Sequence, residues 1–364
     1  MFHLIFSVPC LYVLVRFVAP LPWPLVARVA LGAAMLAASQ YHLWCRLSSG
    51  SVFSPEFPRP VVILFNWAFG AILLLTVLQL VLDLGALTTA ALRHGRASIP
   101  VPLRYAAAGI AASLAVLGVV QAARVPPVRD LTVEIAGLPP GFDGYRLVQL
   151  TDLHISRLFP QAWARAVVQR TNAVEADLIV VTGDFIDGTV AARRHDVAPL
   201  RDLRASDGVW FIPGNHEYFF GYAEWMRHLT GLGLRPLLNA HTVFARGQDR
   251  LVVAGVTDLS APDTGEAPPD LDAALRGAPS ASPIILLDHQ PRNARNAAQR
   301  GVALQLSGHA HGEMIRGLDR IIALANGGYV SGRYDVSGMT LYANWQTNPS
   351  GSARRNGREK LRTG

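Results

Sequence analysis

The chain has 364 residues, 51% of them hydrophobic and 16% charged, with a formal net charge of +7. That length is enough for two or three domains. The charge excess does not mark a nucleic-acid binder: residues 351–364 hold Arg354, Arg355, Arg358, Lys360 and Arg362 against Glu359 alone, and residues 1–122 have only Glu56 and Asp83 as acids.

Four stretches in the first third are apolar enough to suggest bilayer spans, which take about 20 residues each. They run over about Leu4–Ala19, Leu25–Leu43, Val61–Leu82 and Tyr105–Val120. Pro20, Pro22 and Pro24 make a tight connection between the first two, and Arg16 and Arg28 lie inside them, where long side chains can snorkel to an interface. A cleaved leader explains one such stretch, not four. Asp83 falls at the edge of the third, which places it at an interface. An even number of spans puts Arg46, Arg59, Arg124 and Arg129 on one side and Arg16, Arg28, Arg93, Arg96 and Arg104 on the other, so charge does not orient the chain. Both cysteines, Cys10 and Cys45, lie in this third. Any metal site in the remainder must use nitrogen and oxygen donors.

The pattern changes at Val125. Pro126-Pro127 reads as a stiff linker, and residues 131–135 alternate like an edge strand. Apolar strand-like runs follow at Arg146–Leu150, Leu178–Val181, Val209–Ile212, Leu251–Val256, Ile284–Leu287 and Val302–Leu306. Helical stretches lie between several of them, most clearly Gln161–Asn172 and Pro291–Arg300. Strand alternating with helix predicts an α/β domain. The expected divisions are 1–124 (transmembrane helices), 125–345 (catalytic domain) and 346–364, a basic tail without regular structure.

Five polar clusters follow these runs: Asp152-Leu153-His154, Gly183-Asp184 with Asp187, Gly214-Asn215-His216-Glu217, Asp288-His289, and Gly308-His309-Ala310-His311. In α/β folds, ligands gather at the carboxyl ends of strands, where these clusters fall. Together they offer five carboxylates, one carboxamide and five imidazoles, enough for two divalent ions. Asp152 and His154, like His309 and His311, are two apart, so each pair can present both donors to one region. A carboxylate such as Asp184 after the apolar Leu178–Val181 run must offset its desolvation, and a cation would do so. Taken singly, each cluster also reads as an exposed loop or a satisfied core histidine; the joint pattern favours metal.

This order of motifs resembles the calcineurin-like metallophosphoesterase superfamily, and Leu150–His154 with Leu306–Gly312 is similar to its bacterial membrane-associated branch. The resemblance covers about residues 129–340. It implies a four-layer αββα sandwich with the metals at the strand ends. Carried over position by position, it gives one metal Asp152, His154 and His311 and the other Asn215, His289 and His309, with Asp184 bridging. His216 then stands beside the metals as a catalytic group, and Asp187 and Glu217 orient imidazoles or loops. The cofactors are two divalent ions, Mn, Fe or Zn. The chain departs from the branch in having Gly312-Glu313-Met314 after the last histidine and Ala343–Pro349 in place of its usual ending.

The function expected is dinuclear metal-dependent phosphoester hydrolysis, a diester before a monoester, in a multi-pass protein of the bacterial inner membrane. Relatives acting on phosphoproteins carry an Arg soon after the second Asp; here Gly188 and Thr189 follow Asp187. A bilayer location suggests a phospholipid or lipid-linked nucleotide as substrate, with the bilayer itself as partner and no nucleic acid. The alternative is a membrane sensor or transport component whose phosphoesterase-like domain binds a ligand without turnover. Asp258, at another strand end, is a further candidate for the site, whereas His195, His228 and His241 read as surface or packing residues.

Overall fold

The computed structural model describes residues 2–310, 326–344 and 352–354 and divides into two compact units at residues 124 and 125.

The first unit is helical: α1 (Phe2–Val13) continued by a π-helical turn (Leu14–Val18), α2 (Leu25–Ser39), α3 (Tyr41–Ser49), α4 (Arg59–Leu92) and α5 (Val101–Ala122). Among the described residues two helices are long and apolar enough to cross a membrane, α4 with 34 residues and α5 with 22. Pro58 and Pro100 stand at their N-caps, each followed by a second proline in the first turn, where the missing N–H costs nothing. Leu64, Val77, Leu80, Leu84 and Leu87 point outward from α4 and are more than half exposed, while Ile72 and Leu75 turn inward on Cys10, Ala38, Val13, Phe17 and Ala111. The second expected span is cut at Gln40, and α1 with α2 are shorter apolar helices. The third is longer than expected. Because α4 continues to Leu92, Asp83 lies inside a helix, not at its edge, and is buried against Arg16 (Nη2 to Oδ1 2.9 Å), Tyr12 and Gln79.

The second unit carries β1 (Thr132–Glu134), β2 (Tyr145–Leu150), α6 (Gln161–Asn172), β3 (Leu178–Thr182), α7 (Val190–Arg193), β4 (Val209–Ile212), α8 (Asn215–Phe219), α9 (Tyr222–Gly231) and β5 (Arg235–Pro236). It continues through β6 (Ala240–Arg246), β7 (Asp249–Gly255), α10 (Leu271–Leu275), β8 (Ile284–Leu287), α11 (Ala294–Gln299), β9 (Leu304–Ser307), β10 (Gly332–Val336), β11 (Met339–Ala343) and β12 (Ser352–Arg354). One sheet has the order β1-β12-β2-β3-β4-β5 and the other β10-β11-β9-β8-β7-β6. The β2-β3-β4-β5 and β7-β8-β9-β11 neighbours run parallel; β6-β7 and β10-β11 are antiparallel.

Strands buried on both faces read as unbroken apolar runs, and alternate residues serve different cores. Leu147, Leu178, Val180 and Ile212 of the first sheet pack on Leu251, Val253, Ile285, Leu287 and Leu306 of the second. On the outer face of the first sheet, Val148, Ile179, Val181 and Phe211 meet Trp163 and Val167 of α6 and Trp225 and Leu229 of α9. Ala254, Leu286 and Leu341 of the second sheet meet Ala274 of α10 and Ala294 and Ala297 of α11. The layers are therefore helix, sheet, sheet, helix. Within the tail expected to lack structure, residues 352–354 form β12 between β1 and β2, because β2 otherwise presents unpaired backbone groups to β1.

Candidate metal centre

The carboxyl ends of β2, β3, β4, β8 and β9 converge, and the chain leaves them in backbone conformations that ordinary residues avoid. Asp152, His154, Asp184 and His309 have φ of 50°, 41°, 55° and 64°. Such values are uncommon outside glycine and collect at functional sites. Neighbouring strand ends hold them there: Asp152 N–H donates to Gly183 O (3.1 Å) and His154 N–H to Asp184 O (3.1 Å). The loops also touch so closely that Gly183, Gly214 and Gly308 are obligatory. A Cβ on Gly214 would stand 2.3 Å from Asp184 Oδ1, and one on Gly308 2.1 Å from Thr151 Oγ1 and 2.3 Å from Asp152 Oδ2.

Asp184 is the centre of the arrangement. Its Oδ1 accepts from His216 N–H (2.9 Å), whereas Oδ2 is buried and makes no hydrogen bond. Three imidazole nitrogens surround Oδ2: Nε2 of His289 at 3.3 Å, of His154 at 3.8 Å and of His216 at 3.9 Å. Asp152 Oδ1 lies 3.9 Å from His154 Nε2. Asn215 Oδ1 lies 3.1 Å from His289 Nε2 and 2.8 Å from His309 Nδ1. The donor atoms form two groups, His154-Asp184-His216 and Asp184-His289-His309, each within 4.8 Å and sharing Asp184.

The tautomers sharpen this. His289 Nδ1 must donate to the carbonyl of Thr182 (2.7 Å), so Nε2 is the atom that faces Asp184 Oδ2 and Asn215 Oδ1 and that offers a lone pair once its proton is displaced. Acceptors crowded together away from water repel unless a proton or a cation sits among them. Separations of 3–4 Å suit nitrogen and oxygen ligands each about 2.0–2.2 Å from a shared ion. The residues present therefore fit metal binding.

A second ring of residues fixes these donors. Asp187 Oδ1 accepts from both His154 Nδ1 (3.0 Å) and His216 Nδ1 (2.6 Å), turning both Nε2 atoms towards Asp184. Glu217, fully buried, accepts from Gly214 N–H (2.7 Å), Asp184 N–H (3.0 Å) and Phe185 N–H (2.9 Å), locking the β3 and β4 loops together. The buried Arg193 donates from Nε to Asp187 O (2.9 Å), and Trp225 Nε1–H donates to Gly188 O (3.1 Å). Neither residue was singled out from the sequence. Both sit in helices outside the motifs, and only the fold brings them to this loop.

Charge follows geometry. Burial opposes a charged His154, but the carboxylates of Asp187, Asp184 and Asp152 outweigh it and push the imidazole up to about 10. His216 and His289 are raised in the same way, against burial, chiefly by Asp184. Burial pushes His309 down to about 4, helped by His289 beside it. Burial works to raise Asp184 and Asp187, yet the facing imidazoles hold both well below the carboxylate range. Glu217 is pushed up to about 7 by burial and by Asp184, and Asp288 to about 8 by burial and by Asp258. Without ions, protons on the imidazoles balance the carboxylates; ion binding must displace them.

Of the ligands expected from sequence, Asp152, His154, Asp184, Asn215, His289 and His309 meet here, and His311 lies outside the described residues. Residues 312–314 and 345–349, where the motifs depart from the branch, lie outside them as well. His216 stands as close to Asp184 Oδ2 as His154 does. Asp258 is buried nearby but engages Gln290 Nε2 (3.0 and 3.1 Å) and Ser260 N–H (2.8 Å). His241 donates from Nδ1 to Ala274 O, and His195 gives its carbonyl to Gln161, both outside the site.

Comparison with known proteins gives this geometry a family. The model of the calcineurin-like phosphoesterases matches residues 145–313. A "transmembrane protein with metallophosphoesterase domain" of Danio rerio is 35% identical over 243 residues, 64% of this chain and 55% of that protein. The Bos taurus protein of the same description is 34% identical over 240 residues, 63% of this chain and 54% of its own length. The chain thus spans about half the length of these relatives. It is 32% identical over 220 residues to the metallophosphoesterase YkuE of Bacillus subtilis, covering 58% of this chain and 75% of that protein. The chain belongs to the calcineurin-like phosphoesterase family.

Proposed function

We propose that the protein is a membrane-embedded phosphodiesterase working with two divalent ions. Asp184 carries this reading: its buried Oδ2 has no hydrogen bond and faces imidazoles from both donor groups, as a bridging ligand must. Asp152 and His154, with His311, would hold one ion, and Asn215, His289 and His309 the other. Bound there, Mn, Fe or Zn would supply Lewis acidity to a phosphoryl oxygen and to an attacking water.

The chain's own residues do the rest. Asp187 holds the Nδ1 proton of His216, so Nε2 is the atom offered to the substrate. As an imidazolium, His216 donates from Nε2 to a phosphoryl oxygen and passes that proton to the departing alkoxide. The position after Asp187 supports a diester over a phosphoprotein. Gly188 occupies it, its carbonyl is held by the buried Trp225, and the arginine of phosphoprotein-directed relatives is missing.

Residues 1–124 are embedded by four passes, α1 with its π-turn, α2, α4 and α5. The outward Leu and Val side chains of α4 support this, as does the name of the Danio rerio relative. A bilayer location favours a phospholipid or lipid-linked nucleotide as substrate.

The test uses the full chain in detergent with a chromogenic diester and monoester, with and without manganese, and Asp184→Ala as control. The reading requires metal-dependent turnover, faster on the diester, that disappears in the variant. A metal-loaded protein that turns over neither ester would leave a ligand-binding domain instead.

A further inference from the structure

We propose that the helical unit holds the phosphate of an anionic phospholipid headgroup between Arg28 and Arg104. The inference rests on the bilayer reading of residues 1–124 and concerns a site outside the metal centre.

The π-helical turn Leu14–Val18 ends α1 with carbonyls that no further turn can satisfy. Arg104 of α5 donates from Nη1 to Arg16 O, and Arg28 of α2 donates from Nη1 to Ala19 O, both 2.5 Å. Two guanidinium groups from different helices therefore meet carbonyls three residues apart. The helix end carries only about half a negative charge, which two full positive charges exceed. The neighbouring carboxylate is already committed: Asp83 receives Arg16 through Nε (3.0 Å) and Nη2 (2.9 Å), with Tyr12 and Gln79 also bonded to it.

That leaves positive charge without a counter-ion. Among the described residues no carboxylate pairs with Arg28 or Arg104. Arg104 is 8% exposed and among the described residues bonds the one carbonyl, although a guanidinium has five N–H donors. Arg28 Nε is buried with no partner. A buried guanidinium and a partly covered one, both with unused donors, call for an anion, and their forked geometry matches phosphate oxygens.

The aromatic neighbours say where the anion comes from. Trp23, in the connection before α2, donates from Nε1 to the hydroxyl of Tyr105, which follows Arg104 (2.9 Å), and the two rings stack with centroids 6.4 Å apart. Both are about two-fifths exposed. Exposed Trp and Tyr mark the headgroup level of a bilayer, and basic pockets between helices at that level take acidic headgroups.

The experiment is native mass spectrometry of the full chain in a non-ionic detergent with equimolar phosphatidylglycerol and phosphatidylcholine. Phosphatidylglycerol should be retained about tenfold over phosphatidylcholine, whose phosphate carries its own quaternary ammonium as counter-charge, so that only the former brings net negative charge to the two guanidinium groups. Arg28→Gln with Arg104→Gln should erase the preference, and Arg28→Lys with Arg104→Lys should restore part of it. Equal retention of both lipids, or an unchanged preference in the glutamine variant, overturns the proposal. Displacement of phosphatidylglycerol by millimolar inorganic phosphate overturns the lipid as the ligand. If Arg104→Gln fails to fold, Arg28→Gln alone, at a partly exposed position, is read by the same criteria. Failure of the bilayer reading would show separately, as full chain recovered in the supernatant without detergent.

Discussion

Replacing Asp187 by asparagine tests how the centre is organised, because one oxygen orients two imidazoles. Its Oδ1 lies 3.0 Å from His154 Nδ1 and 2.6 Å from His216 Nδ1. Asparagine keeps the size and one acceptor oxygen but loses the charge. The loop should stay in place, since Arg193 grips the backbone carbonyl of residue 187 and Trp225 that of Gly188. Two opposed effects then compete. Losing the carboxylate lowers the proton affinity of His154, now pushed up to about 10, so protons compete less with an ion at neutral pH. The same change weakens both imidazoles as donors and frees their rings to turn. Partners that orient metal-binding histidines are usually worth about 10–100-fold in affinity or activity, so the second effect should win.

The two effects separate in a calorimeter. Manganese titrated into the metal-free wild type at pH 8 should displace the His154 proton, seen as heat that varies with the ionisation enthalpy of the buffer. Asp187→Asn should bind the ion about 10–100-fold more weakly and release fewer protons, with kcat/KM on a diester falling in parallel. Unchanged affinity together with unchanged proton release would refute the role assigned to Asp187.

Gly308→Ala should lose about 3 kcal/mol or more of stability in a denaturant titration, since its Cβ would overlap Thr151 Oγ1 and Asp152 Oδ2 and neither can retreat. Glu217→Gln should cost about 2–4 kcal/mol in the same assay, because one amide oxygen replaces two that serve three backbone N–H groups. In EDTA the protein should lose stability as pH rises from 5 to 9, the gain from His309, lowered to about 4, being complete near 6.5 and outweighed by the raised groups. The raised groups point the same way: His154 stabilises below its unfolded value of 6.5 and loses this towards 10, while Glu217 and Asp288, raised to about 7 and 8, lose it from 4.5 and 3.8 upward. The depressed Asp184 and Asp187 contribute across that whole window. Melting temperatures with saturating manganese should show the opposite slope, since fewer protons then oppose the ion.

The central parallel strands were legible because strands buried on both faces are spelled as runs such as Leu178–Thr182, and a polar residue straight after such a run marks a strand end; their division into two sheets came only with the family resemblance. Short or half-exposed strands escaped. β6, Ala240–Arg246, has one face at the surface and little apolar run to show, and β5 is two residues long. The motifs were legible as donors, but their pairing was not. Nothing local says that Asp187 serves two histidines or that Glu217 ties three amides, because those bonds join residues three to 33 apart through the fold. The Arg16–Asp83 pair, 67 residues apart, was hidden for the same reason.

The strain in the centre and its polarity have one explanation. Four non-glycine residues, Asp152, His154, Asp184 and His309, hold left-handed conformations, each costing on the order of 1 kcal/mol or more. They gather buried charged groups around Asp184 Oδ2, protonated imidazoles against carboxylates, which adds a desolvation cost. Neither cost stabilises the sandwich, so the strand ends would relax if they could. They are prevented from doing so by the inter-sheet core behind them, where Leu147, Val180 and Ile212 close on Val253, Ile285 and Leu306, and by Glu217 across the β3 and β4 loops. Donors held at this spacing before any ion arrives need little reorganisation to bind one. On this view, shortening Leu306 or Ile285 should weaken metal affinity as well as stability, although neither side chain touches a ligand.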